Sequence, residues 1–212
     1  MQIDLFGLKP DTGLDPVDIG DYETIRGKGM TFHTRVFDAQ NSGRLFLMDM
    51  TAFAGLMKME TVAFTPVELD GPICSMDKVV AFGRSTLVLE LYDTTVSHPD
   101  FAALGTEKQK YSRIPSYDPG DHPYYAFRMS ESDYKRGFGI GNKISQMAKE
   151  YQESYFKILK TCDPVDPEIK KQKNLKFSEC LYSNGGPAVD QFKKMIGPEK
   201  TEEFLKRYMF CS

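Results

Sequence analysis

From about Met30 to Asp93, polar and apolar residues alternate with a period of two, the pattern of half-buried strands. Residues 30–37 predict one strand and residues 44–51 a second, separated by the turn signal Gln40-Asn41-Ser42-Gly43. A third strand is predicted over 59–65. Residues 77–82 and 86–93 flank Gly83-Arg84-Ser85 and predict a hairpin. Residues 122–129 predict one more strand. The period then lengthens. Ile144, Met147, Tyr151, Tyr155 and Ile158 fall near a 3.6-residue spacing, which predicts an amphipathic helix over 141–160. Residues 161–186 carry Asp163-Pro164 and Asp166-Pro167 and predict mostly loop. A short helix is predicted to start at Pro187, a favoured first helical position, and to end near Gly197, with Val189, Phe192 and Ile196 as its apolar face. A last helix runs from Pro198 to about Phe210 and buries Phe204, Leu205 and Tyr208. The first 27 residues, rich in Gly, Pro and Asp, predict an irregular arm. Meandering strands followed by helices argue for an antiparallel sheet with helices packed on it.

The 212 residues, 27% of them charged and 12% aromatic, suffice for one compact domain with a real core, and a single domain is expected. A net charge of −3 and a pI near 5.7 give no basic surface for nucleic acid. No apolar run is long enough to span a bilayer, and residues 1–10 lack the charge and apolar core of a secretory signal. Cys74, Cys162, Cys180 and Cys211 match no zinc or iron–sulfur spacing and are expected as reduced thiols. His33, His98 and His122 have no partner at metal-ligand spacing, so no metal site is expected. Gly137-Phe138-Gly139-Ile140-Gly141 is glycine-rich. The pattern predicts no strand leading into it and no GxGxxG spacing, so a nucleotide cradle is not indicated.

Candidate chemistry comes from carboxylates in apolar strands. Side chains alternate across a strand, so Leu45, Leu47 and Asp49 share a face, and Asp77 shares one with Val79 and Ala81. Desolvation raises the pKa of such a carboxyl toward the range useful for proton transfer. A lone aspartate in an apolar row is more often a strand-end residue or one bonded by backbone N–H groups, and this applies most to Asp77, which would begin its predicted strand. Glu90 alternates with Val88 and Tyr92 and is expected on the outer face. Met48, Met50, Met57, Met59 and Met76 supply a soft, polarizable lining that suits a large flat ligand, although each also fits simple core filling.

The segment Phe64-Thr65-Pro66 to Pro72-Ile73-Cys74-Ser75-Met76-Asp77-Lys78-Val79-Val80 resembles the central motif of the ferredoxin-dependent bilin reductases. Asp77, five residues after Pro72, matches that family's catalytic aspartate. Asp49 falls at the family's upstream acidic position. Thr61, twelve residues on, falls where the phycocyanobilin-forming members hold histidine. Arg113-Ile114-Pro115-Ser116-Tyr117 is similar to the family's propionate-contacting loop. Residues 192–197 and 202–210 look like its closing pair of helices. The likeness runs from about Arg44 to Cys211 as a mosaic of short motifs in a shared order.

This resemblance implies an α/β/α sandwich, a mostly antiparallel sheet flanked by helices on both faces, with the ligand between the sheet and the C-terminal helices. It implies reduction of an open-chain tetrapyrrole such as biliverdin by one-electron steps, with no bound cofactor and reduced ferredoxin as electron donor. Asp77 and Asp49 would be catalytic; Thr61, Met59, Phe64, Met76, Arg113 and Tyr117 would contact substrate. Lys157, Lys160, Lys170, Lys171, Lys173 and Lys176 could steer acidic ferredoxin, or simply form a solvated surface. A monomer in a bacterial cytoplasm or plastid stroma would follow. The chain departs from the family at Thr61. It departs again at Gly186 and Pro187, which stand where many members carry a second aspartate and a basic residue. A tetrapyrrole carrier or sensor, or a reductase of an opened chlorophyll product, therefore stands beside the bilin-reductase reading.

Overall fold

A computed structural model describes residues 13–212. Its centre is an eight-stranded sheet in which every neighbouring pair is antiparallel. The strands are β1 (Leu14–Val17), β2 (Thr24–Gly27), β3 (Met30–Ala39), β4 (Gly43–Ala52), β5 (Met57–Pro66), β6 (Ile73–Ala81), β7 (Arg84–Tyr92) and β8 (Asp133–Phe138). From β3 to β7 each strand pairs with the next in sequence, and β8 closes on β7. Both β1 and β2 pair with the free edge of β3. Gly43 opens β4 where a Cβ would meet the Thr65 carbonyl oxygen at 2.2 Å, so only glycine fits.

Helices cover both faces, giving the expected layering of helices on an antiparallel sheet. On one face lie α1 (Ala103–Lys110) and α2 (Gly141–Leu159). There Leu45, Leu47, Leu87, Leu89 and Leu91 pack with Leu104, Ile144, Met147, Tyr151 and Tyr155. On the other lie α3 (Pro167–Asn184), α4 (Pro187–Ile196) and α5 (Pro198–Glu203), the last continuing as a π-helical turn over Phe204–Met209. There Phe32, Phe46 and Met50 meet Phe192, Phe204 and Tyr208, while Ile73 and Tyr92 meet Phe177, Val189 and Leu205.

Several elements differ from the sequence expectation. Residues 161–186 contain an 18-residue helix. Asp166 caps it, accepting bonds from the Glu168 and Ile169 amides, and Pro167 starts it rather than breaking it. Its buried positions are Lys170, Asn174, Phe177 and Ser178, three of them polar, so it shows no continuous apolar stripe to detect. Lys170 is fully buried, its ammonium bonded to the carbonyls of Gly71 and Thr94 beside Asp70, and is withdrawn from any basic docking surface. Burial lowers its pKa to about 8 against the pull of Asp70 and Asp93. Residues 122–129 form a 3-10 turn, Pro123–Phe127, instead of a strand; proline removes a ladder donor, and Tyr124 and Phe127 fill the core under α3. The strand lies later, at β8, and runs directly into the glycine-rich run before α2. Within the presumed N-terminal arm, residues 14–17 and 24–27 are strands recruited by β3; the start of that arm and the leader reading lie outside the described residues.

Candidate functional site

Asp77 sits in the middle of β6, not at its start, and register decides what surrounds it. One row across the sheet reads Thr34, Met48, Thr61, Asp77, Val88, Tyr134. These side chains project from the face that carries α3, α4 and α5. Thr61 donates its hydroxyl hydrogen to Asp77 Oδ1 at 2.5 Å. Burial pushes the Asp77 carboxyl up to about 6; the Thr61 bond opposes the rise, and the charge of Glu90 adds to it.

Glu90 belongs to this group and not to an outer face. It lies opposite Ser75, diagonal to Asp77, and is buried. Tyr92 donates to Glu90 Oε2 at 2.5 Å and Tyr134 to Glu90 Oε1 at 2.8 Å. Arg128 donates to the Tyr134 hydroxyl at 3.2 Å and stacks over Tyr125 at 4.1 Å. His122 stacks on Tyr124, which meets Tyr125 edge-on. Burial, then the Glu90 charge, holds the Tyr134 phenol well above its ordinary pKa, so it remains a proton donor. Tyr117 reaches the same cluster: its ring meets Tyr134 edge-on, and Arg136 lies 3.7 Å over it.

The sequence-derived set divides between the faces. Asp77, Thr61 and Met59 share one face, and Tyr117 touches Tyr134 at its border. Asp49, Phe64 and Met76 lie on the other. Asp49 pairs with Glu60 in a row that continues to Lys78 and Leu87, and its carboxyl is raised by burial and then by Glu60. Phe64 packs on Tyr155 and Phe156, and Met76 Sδ accepts from Gln152 of α2. Arg113 is exposed on the segment after α1. The structure thus joins Asp77 to Thr61 and does not bring Asp49 to either. Sequence reasoning missed Glu90, Tyr92, Tyr124, Tyr125, Tyr134 and Arg128. The first was detectable: a two-residue turn at Phe82-Gly83 places it on Asp77's face.

Two open surface clefts lie elsewhere, one lined by Asp18, Tyr22, Lys200 and Glu203, the other by Lys108, Ser116, Asp133 and Lys135. Among the described residues no group of His, Cys, Asp and Glu could hold a metal ion, and no helix is long and apolar enough to cross a membrane.

An antiparallel sheet with helices on both faces and a buried mid-strand carboxyl defines an α/β fold with a known counterpart. It matches the crystal structure of phytochromobilin synthase from tomato, in complex with biliverdin, with a TM-score of 0.71 and 13% identity, covering 94% of this chain and 77% of that one. No family model matches the chain, and no curated protein matches it.

Proposed function

We propose that the chain binds an open-chain tetrapyrrole of the biliverdin type on the Asp77 face and reduces it by proton-coupled one-electron steps, with reduced ferredoxin as the donor. One observation carries this reading: a mid-strand carboxyl with a pKa near 6, bonded to Thr61, in the fold of an enzyme solved with biliverdin. A general acid is most effective when its pKa lies near the working pH. Each electron that enters the conjugated pigment raises its basicity, and Asp77 is placed to supply the matching proton. Glu90, held by Tyr92 and Tyr134, keeps negative charge nearby and favours the protonated form of Asp77.

In this reading Tyr117, Met59 and Thr61 contact pigment, and Arg113 holds a propionate through a charge-assisted bond. Asp49, Phe64 and Met76 shape the sheet from behind. Lys157, Lys160 and Lys176, all exposed, with Lys171 and Lys173 remain to steer an acidic electron carrier. Non-catalytic binding is the second reading; Thr61 favours it, because a hydroxyl cannot take up a proton as an imidazole can.

The test is an anaerobic absorbance titration of biliverdin with the protein, followed by reduced ferredoxin. A shifted spectrum that bleaches or moves further on reduction supports reductase activity. A shift without reduction supports binding alone. An unshifted spectrum at saturating protein, with no pigment retained on gel filtration, refutes both.

A further inference from the structure

At one end of the sheet the strands terminate on a single hydrogen-bonded row: Gly27, Met30, Ala52, Met57, Ala81, Arg84 and Phe138. The segments that turn at this rim are residues 26–30, 51–58, 80–86 and 136–143. Together they hold six cations, Arg26, Lys28, Lys58, Arg84, Arg136 and Lys143, and no Asp or Glu, in a chain whose net charge is −3. All six are exposed. The nearest carboxylates, Asp49 and Glu60, are set back along their strands, and Glu60 is paired with Lys78 at 3.5 Å.

The same rim projects apolar side chains. Six large hydrophobic residues are exposed among the described residues, and four of them lie here: Phe53 (62%), Leu56 (61%), Phe82 (66%) and Phe138 (66%). They form one patch. The Phe53 and Phe82 rings lie 6.0 Å apart, the Phe82 amide donates to the Leu56 carbonyl, and Arg84 stacks on Phe138 at 4.8 Å. The backbone holds Phe53, Ala54 and Phe82 at positive φ, between 50° and 52°. Glycine or asparagine takes that conformation more cheaply, and the Phe82-Gly83 turn would favour Asn-Gly. Phenylalanine is thus kept at strained tips where it packs on nothing larger than its neighbours.

We propose that this rim docks on an anionic lipid surface, with Phe53, Leu56, Phe82 and Phe138 entering the headgroup–acyl boundary and the six cations contacting lipid phosphates. The rim is built of turns that carry exposed apolar side chains and cations and no carboxylate. A fluid interface accepts them, and apolar insertion inside a basic collar is the chemistry of peripheral membrane binding. Six cations with no carboxylate among them give the rim a long-range attraction to such a surface. The Asp77 row lies four residues, roughly 13 Å, behind the rim along β6, so docking leaves that face of the sheet unobstructed.

The experiment is co-sedimentation of the full chain with vesicles of phosphatidylcholine alone and of equimolar phosphatidylcholine and phosphatidylglycerol. The protein is expected to sediment with the mixed vesicles, weakly or not at all with the neutral ones, and less at high salt. Lys58→Gln with Arg84→Gln should weaken partition roughly twenty-five-fold, about fivefold per cation removed. Phe53→Ser with Phe82→Ser should abolish it while leaving far-UV circular dichroism unchanged. Failure to sediment with anionic vesicles overturns the proposal, as does equal sedimentation of both variants. Concentration-dependent dimerisation abolished by the phenylalanine substitutions would assign the patch to a second copy of the chain and also overturn it.

Discussion

Asp77→Asn separates stability from function at the candidate site. In the folded protein the carboxyl titrates near 6, against an ordinary value of 3.8. The folded state therefore binds more protons than the unfolded state between those two pH values, and stability is lost as pH rises through the window. The whole interval is worth up to about 3 kcal/mol, and less where solvent reaches the half-buried carboxyl. Asparagine mimics the protonated acid: its carbonyl still accepts the Thr61 hydroxyl, and it has no charge to desolvate. The variant should match wild type in urea unfolding below about pH 3, where both side chains are neutral in both states. It should exceed wild type by as much as about 3 kcal/mol above about pH 6, with the gap opening in between. In the pigment assay the same variant should bind biliverdin yet turn over at least ~10²-fold more slowly. A site residue that costs stability is a familiar trade. Equal stability at neutral pH, or a gap independent of pH, would show that the Asp77 carboxyl is not raised. A stabilised variant with wild-type turnover would remove it from the chemistry while leaving the electrostatics intact.

Three further outcomes are expected. Glu90→Gln removes the charge that, after burial, raises Tyr134 and Tyr92, so ultraviolet titration of the phenols should show more than one group moving to lower pH, and an unchanged titration would argue against the bonds of both to Glu90. Lys170→Met leaves the Gly71 and Thr94 carbonyls without their buried donor and should cost on the order of 3–5 kcal/mol in denaturant unfolding; a loss under about 1 kcal/mol would mean the site repacks. Asp49→Asn should leave pigment binding and turnover close to wild type, because Asp49 points from the opposite face of the sheet; a defect as large as that of Asp77→Asn in the same assays would contradict the register.

The five central strands were legible because alternation and the Gln40–Gly43 turn signal agree on them. What sequence could not supply was parity. Asp49 and Thr61 stand twelve residues apart, which places them together only for one choice of loop. The chain reverses through residues 53–56, pairing Met48 with Thr61 and sending Asp49 to the other side. A similar slip hid Glu90. The turn was expected at Gly83-Arg84-Ser85, whereas Phe82 and Gly83 make it, and that shift exchanges the two faces of β7 relative to β6. The helix over 167–184 was invisible for a different reason: of its four buried residues only Phe177 is apolar, and Lys170 and Asn174 are bonded to loop carbonyls, so hydrophobic periodicity had little to register.

That polar underside has a consequence for the order in which the molecule assembles. The strands from Met30 to Tyr92 pair with sequence neighbours, so each contact closes only a short loop. The helix offers one buried aromatic, Phe177, and otherwise polar side chains to a half-formed sheet. Its lysine needs the carbonyls of Gly71 and Thr94, and Asn174 needs that of Pro66; all three are positioned only after the meander is complete. This helix is therefore a late arrival, seated by Phe177 on Tyr92 and by a few buried polar bonds that are unforgiving when broken. By the same reasoning it is the part that can lift away without unravelling the sheet, in the manner of a subglobal opening. A large ligand could then be admitted to this face through the same joint that completes folding.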